Sequence, residues 1–242
     1  MSEFLTLQET TTIASPSLEL GQIHLWWVSL SIDKELQKKF TAELNQRQRQ
    51  KFNRLKDPLR QQFYVAGRGY LNQLLRHYVG PQSSIELIFS EHGKPTLRKN
   101  PQQLMFNFTD TCGFGLFAFA LSNELGIDIE HAEREGEFTR IVERRFAPEE
   151  QYLRSGSMHD FLQCWTRKEA YGKAIGKGLS YPLRQYTVCE DLSKSEFTVS
   201  DNEFYGQQVT INFEQKRYIA CVVSQGLQAK QIQAFHLSAK TN

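Results

Sequence analysis

With 242 residues the chain can bury a substantial core, as one large domain or two small ones. Hydrophobic residues at 40% and charged residues at 23% are ordinary for a water-soluble globular protein, and a net charge of +2 is too mild to point to nucleic acid by itself. The longest apolar run, GFGLFAFAL at 113–121, is about half of what a membrane-spanning helix requires.

The opening segment, MSEFLTLQETTTIASPSLELG, has no basic start and no continuous apolar core, so it reads as a loose lead-in and not as a secretory signal. QIHLWWVSLSI at 22–32 has the character of a strand, and DKELQKKFTAEL after it has helical spacing. Asp57 and Pro58 read as the N-cap and first residue of a long helix, with Phe63, Ala66, Tyr70, Leu71, Leu74, Leu75 and Tyr78 on one face up to Gly80. Between Lys34 and Arg76 lie Lys38, Lys39, Arg47, Arg49, Lys51, Arg54, Lys56, Arg60 and Arg68, against Glu35, Glu43 and Asp57. This stretch either attracts anions or is simply a solvated helix face.

SIELIFS is a short strand, GKP at 93–95 a turn, and LMFNFT and FGLFAFALS two strands around a break near 110–113. ELGIDIE is the next strand. Residues 137–154 hold two short helices, the second opened by Pro148, and HDFLQCWTRKEAYGKAIG is a long helix ended by Gly176 and Gly178. QYTVCE, EFTVS, YGQQVTINFE, RYIACVVS and IQAFHLS then alternate like antiparallel strands. The mixture, without regular βαβ alternation, predicts an α+β fold of two similar halves meeting near 113–124. Cys112, Cys164, Cys189 and Cys221 are scattered among apolar neighbours, which predicts core thiols in a reducing cytoplasm and no zinc site.

Two segments carry candidate chemistry. If GIDIEH at 126–131 is a strand, Ile127 and Ile129 face one way and Asp128 and Glu130 the other. Two carboxylates on one face call for a basic side chain or a bound cation. In WTRKEAYGKAIGKGL, Trp165, Glu169 and Lys173 are four residues apart on one helix face, which taken alone is an ordinary surface pair beside a packed tryptophan. GKAIGKG fails as a phosphate loop, since its glycines are one residue too close and no Ser or Thr follows. Taken together, Asp128, Glu130 and Glu169 offer three hard oxygen ligands suited to magnesium, with phosphate partners available in Lys173, Lys94 and the basic 34–76 stretch.

GIDIE, then RRFAPEE, then WTRKEAYGKAIGKGL, with GKP and FNFTDT upstream, resembles the Sfp-type 4'-phosphopantetheinyl transferases over roughly residues 45–190. The resemblance implies two pseudo-symmetric α/β halves, each a small, mostly antiparallel sheet packed with helices, with coenzyme A between them. Residues 1–115 would be the basic, coenzyme A-contacting half, and 116–242 the half with the metal site and carrier docking. The implied reaction moves the 4'-phosphopantetheine arm of coenzyme A onto a serine of an acyl or peptidyl carrier protein, as in holo-[acyl-carrier-protein] synthesis, and releases adenosine 3',5'-bisphosphate.

By the same resemblance Asp128, Glu130 and Glu169 hold magnesium, Lys173 contacts the pyrophosphate and Glu150 assists the active-site network. Glu169 is the first candidate for the base that takes the serine proton, and Glu150 the second. Coenzyme A contacts would come from Arg47, Arg60 and Lys94, and from Thr109 and Asp110, which stand where the family has serine and histidine. An aspartate there would repel a phosphate, so Asp110 is expected to turn away or bond a backbone amide, leaving Lys94 and Arg60 to hold that phosphate. The carrier, from fatty acid, polyketide or peptide synthesis, would dock near 132–146. Phe138, Ile141, Val142 and Phe146 beside Arg140, Arg144 and Arg145 could receive it there, or could simply pack their helix on its own core.

Other readings are a metal-dependent phosphodiesterase or nuclease and a non-catalytic coenzyme A-binding module. The nuclease pattern places its glutamate and lysine one residue apart on a strand, whereas here they are four apart on a helix. No G-x-S-x-G accompanies the six histidines, and Trp26 and Trp27 read as core. The expected protein is a cytoplasmic monomer with no nucleic-acid or membrane partner.

Overall fold

In the computed structural model, which describes residues 3–178, 182–199, 203–226 and 231–238, the chain opens with short strands β1 (Glu3–Phe4) and β2 (Gln8–Thr10), then β3 (Gln22–Ser29). Asp33 caps α1 (Lys34–Ala42) by accepting from the Leu36 N–H at 2.7 Å, and Asn45 and Gln48 form a reciprocal capping box at the start of α2 (Gln46–Arg54). Asp57 caps α3 (Pro58–Val79) as its sequence predicts, accepting from the Leu59 N–H at 2.9 Å. The hairpin β4 (Leu87–Phe89) and β5 (Pro95–Leu97) leads to β6 (Leu104–Thr111) and β7 (Phe114–Leu121). Cys112 and Gly113 join β6 to β7 at φ of 47° and 83°, the positive values that a two-residue hairpin turn needs to match strand twist. Then come β8 (Leu125–His131), α4 (Thr139–Arg145), a 3-10 segment (Pro148–Ser155), α5 (Met158–Ala174), β9 (Glu196–Val199), β10 (Phe204–Phe213), β11 (Lys216–Gln225) and β12 (Gln231–Leu237).

One sheet runs β2-β12-β3-β7-β6; the other runs β1-β10-β11-β8, with β9 on β10. Side-chain alternation explains why β3 is buried along both faces. Its Ile23, Leu25 and Trp27 meet Ile127, Ile129, Ala220 and Val222 of the other sheet, while Trp26 and Val28 face a second core shared with α3. Ile219, Cys221 and Val223 of β11 likewise turn outward to pack with Phe161, Ala170 and Ala174 of α5. The order is thus helix, sheet, sheet, helix, the α+β architecture of two similar halves that the sequence predicts. Each large apolar side chain buried in these layers contributes roughly 1.5–3 kcal/mol.

Several expectations change. The lead-in is tied down: β1 runs parallel to β10, and β2 parallel to β12, so the first residues serve both sheets. β12 in turn pairs with β3, and the 115/116 division falls inside β7, because strands are shared out by edge pairing and not by chain half. QYTVCE is no strand. Its backbone is bonded by side chains, with the Val188 N–H on Glu150 and the Val188 carbonyl on Arg167. Cys164 and Cys189 are not free thiols but a disulfide, their Cα atoms 5.7 Å apart where α5 crosses this segment. The pairing removes the basis for reading a reducing compartment from the cysteines. Among the described residues no helix is long and apolar enough to cross a membrane.

Candidate active site

The site begins with a missing side chain. A Cβ on Gly126 would lie 2.0 Å from the Ala170 carbonyl oxygen and 2.3 Å from the Ala174 nitrogen, so only glycine lets α5 approach β8 this closely. Ala170 and Ala174 straddle Gly126, which brings Glu169 and Lys173 of α5 onto the face of β8 that carries Asp128 and Glu130.

Lys173 Nζ then donates to Asp128 Oδ1 at 2.7 Å, to the Ile127 carbonyl at 3.0 Å and to Thr109 Oγ1 at 3.2 Å, and Thr109 donates to the same Asp128 oxygen at 3.2 Å. Glu130 is paired with Arg134 at 2.6 Å and accepts from the Trp165 indole. The two strand acids therefore have basic partners in this state. Glu169 has less. Its Oε1 and the Asp128 Oδ2 are buried without any hydrogen-bond partner. Loss of water and the neighbouring Asp128 push the Glu169 pKa from 4.5 up to about 7, against the pull of Lys173 and Arg145. Buried carboxylate oxygens lacking donors are hard ligands in want of a cation, so the donor set fits magnesium. The oxygens of Asp128, Glu130 and Glu169 do not all lie within 4.8 Å of one another. Among the described residues the one such set is Glu150, Cys164 and Cys189, whose sulfurs are already bonded to each other.

Beside the acids lies a basic cavity of about 430 Å³ lined by Arg47, Lys51, Arg54, Tyr64, Arg68 and Phe89. Arg47 sits 4.3 Å over the Phe89 ring, and Arg68 lies 5.4 Å from the Tyr64 ring centre. Asp110 links the two regions: shielding from water raises its pKa, Lys173, Arg68 and Lys51 lower it, and Asp128 raises it.

Other predicted residues are placed elsewhere. Glu150 is wholly buried: Oε2 pairs with Lys168 at 2.6 Å and accepts from Ala147 N–H, while Oε1 accepts from Thr187 and Val188. Saturated in this way, it holds the fold of its half and is no candidate base. Lys168, adjacent to Glu169 but turned away from it into the core of its own half, also donates to the Leu183 and Tyr186 carbonyls. Lys94 pairs with Glu124 at 2.5 Å and donates to the Ala174 carbonyl at the end of α5. Arg60 is exposed, 3.9 Å from Asp57, and does not line the basic cavity. In 132–146, Val142 and Phe146 are fully buried, Phe138 and Ile141 pack partly on the same core, and Arg140 and Arg144 remain exposed. Sequence reasoning missed Gly126, Arg68 and the core role of Lys168. Arg47 was expected at coenzyme A, whereas Lys51 and Arg54, like Arg68, were visible only within a diffuse basic stretch.

A family model described as the 4'-phosphopantetheinyl transferase superfamily matches residues 124–223. The 4'-phosphopantetheinyl transferase HetI of Nostoc is 30% identical over 184 residues, 72% of this chain and 78% of that protein. The chain belongs to the 4'-phosphopantetheinyl transferase superfamily. A putative phosphopantetheinyl transferase of Synechocystis is 33% identical over 52% of this chain and 50% of its own, and the phosphopantetheinyl transferase Sfp of Bacillus subtilis 29% identical over 47% and 51%. Phosphopantetheinyl transferases move the phosphopantetheine arm of coenzyme A to carrier proteins, and the matched span holds β8, α5 and all three acids.

Proposed function

We propose that this transferase acts in the Sfp manner, placing the arm on a serine hydroxyl of an acyl or peptidyl carrier protein. The pair of partnerless buried oxygens, Asp128 Oδ2 and Glu169 Oε1, beside a basic cavity carries the reading. Coenzyme A would lay its nucleotide end in that cavity, with Arg47, Lys51, Arg54 and Arg68 facing its phosphates and Phe89 and Tyr64 offering aromatic surface. Its diphosphate would then lie toward Lys173. Asp128, Glu169 and Glu130 would hold magnesium, which when bound neutralises diphosphate charge.

Glu169, with a pKa of about 7 and so half ionised at neutral pH, would take the serine proton. Lys173, released from Asp128, would face the departing bisphosphate. The carrier would meet Arg140 and Arg144 along the exposed side of α4. The test is to incubate the protein with coenzyme A, magnesium and a panel of apo carriers and to weigh the carriers. Gain of one phosphopantetheine on a serine is expected, and a panel left unmodified refutes the proposal.

A further inference from the structure

β8 ends at His131, and the chain turns at once, the Arg134 N–H donating to the His131 carbonyl at 3.0 Å. The turn swings the Arg134 side chain back along the strand, where Nη1 meets Glu130 Oε1 at 2.6 Å. From the other side, α5 supplies the Trp165 indole N–H to the same carboxylate. Asp128 and Glu169 each keep an oxygen with no partner, whereas Glu130 is held by a cation and a neutral donor together. Arg134 also sits at the rim, its side chain 42% exposed, so it can leave without opening the core. The carboxylates, accordingly, have not gathered around one point.

We propose that Arg134 is a positioning residue that holds Glu130 back, so that a divalent cation engages Asp128 and Glu169 first and gains Glu130 only by displacing Arg134. The proposal rests on Asp128, Glu130 and Glu169 being the metal ligands. Arg134 is an internal competitor. It lowers the affinity of the free protein for metal and reserves full ligation for the moment when an anionic donor can draw the guanidinium away. Trp165 reports the exchange, because its indole loses or reorients its acceptor as Glu130 moves, while Trp26 and Trp27 are fully buried in the other half.

The experiment titrates the full chain, without coenzyme A, with Mn2+ by calorimetry and with Mg2+ by tryptophan fluorescence, using wild type, Arg134→Gln, Glu130→Gln and the double variant. A part-exposed ion pair contributes little, so Arg134→Gln should bind Mn2+ about two- to fivefold more tightly. On the Glu130→Gln background the same substitution should change nothing. The Mg2+-dependent fluorescence change should vanish in Trp165→Phe. An unchanged or weaker affinity in Arg134→Gln overturns the proposal, as does an equal gain on the Glu130→Gln background, which would show a through-space charge effect. Absence of metal binding by all four proteins overturns the ligand assignment itself, a separate outcome from failure of the latch.

Discussion

Replacing Glu169 by glutamine should make the metal-free protein more stable while removing activity. Folding raises the pKa of this carboxyl from 4.5 to about 7. The folded chain therefore holds its proton more tightly than the unfolded chain does, and stability falls as pH rises between those two values. At about 1.36 kcal/mol per unit, ionising Glu169 in the fold costs roughly 3 kcal/mol above neutral pH. It costs less than about 1 kcal/mol at pH 5, where the group is protonated in the fold. Glutamine keeps the shape and never ionises. For a chain of this size each kcal/mol moves Tm by about 2–4 °C, so Glu169→Gln should melt roughly 6–12 °C above wild type at pH 8 in EDTA, and within about 3 °C of it at pH 5. Added magnesium should raise wild-type Tm at pH 8 and leave the variant nearly unmoved. Melting curves at the two pH values, with and without metal, make the measurement. An equal gain at both, or none at pH 8, would refute the claim that an unpartnered charge is held here.

Asp110→His and Asp110→Asn should each tighten coenzyme A about fivefold by calorimetry, since both remove a negative charge from among Lys51, Arg68 and Lys173; an unchanged or weaker Kd refutes repulsion at this position. Gly126→Ala should cost roughly 3 kcal/mol or more and lower kcat, because its methyl group would strike the backbone of α5; melting temperature and turnover would be read together, and a neutral result would deny the close approach. Glu150→Gln should cost about 3–5 kcal/mol by leaving Lys168 buried without its counter-charge, yet keep kcat per folded molecule. A large loss of kcat with unchanged stability would restore Glu150 to the chemistry.

The acids of β8 were legible because a strand alternates: Ile127 and Ile129 mark the buried side, so Asp128 and Glu130 must share the other. Helical spacing likewise gave the Glu169 and Lys173 face. The remainder depends on which elements come together, and local pattern does not encode that. Gly126 looks like any strand glycine until α5 is placed over it. Glu150 looks like a catalytic charge until it and Lys168 are found paired without solvent contact. Cys164 and Cys189 are 25 residues apart, and only the crossing of α5 over the 183–190 segment makes them neighbours. The terminal strands were hidden for the same reason, since a two- or three-residue edge strand carries almost no periodicity of its own.

Lys168 and Glu169 are consecutive on α5, and their opposite surroundings explain how an unfavourable site is kept in place. The helix turns about 100° between them, so one points into the half's own core and the other toward β8. Lys168 is bound by Glu150 and two backbone carbonyls and lies near the Phe146 and Tyr186 rings, while Arg167 before it reaches Gln208 and the carbonyls of Val188, Asp191 and Lys194. The disulfide at Cys164 adds a covalent tie one turn earlier. With its far side anchored at so many points, α5 cannot retreat from β8 to restore water to Glu169 or to relieve its repulsion by Asp128 and Glu130. An opposing energy of roughly 3 kcal/mol at Glu169 can then persist in the free protein. Its relief is available only to a cation, or to a proton, arriving between the carboxylates.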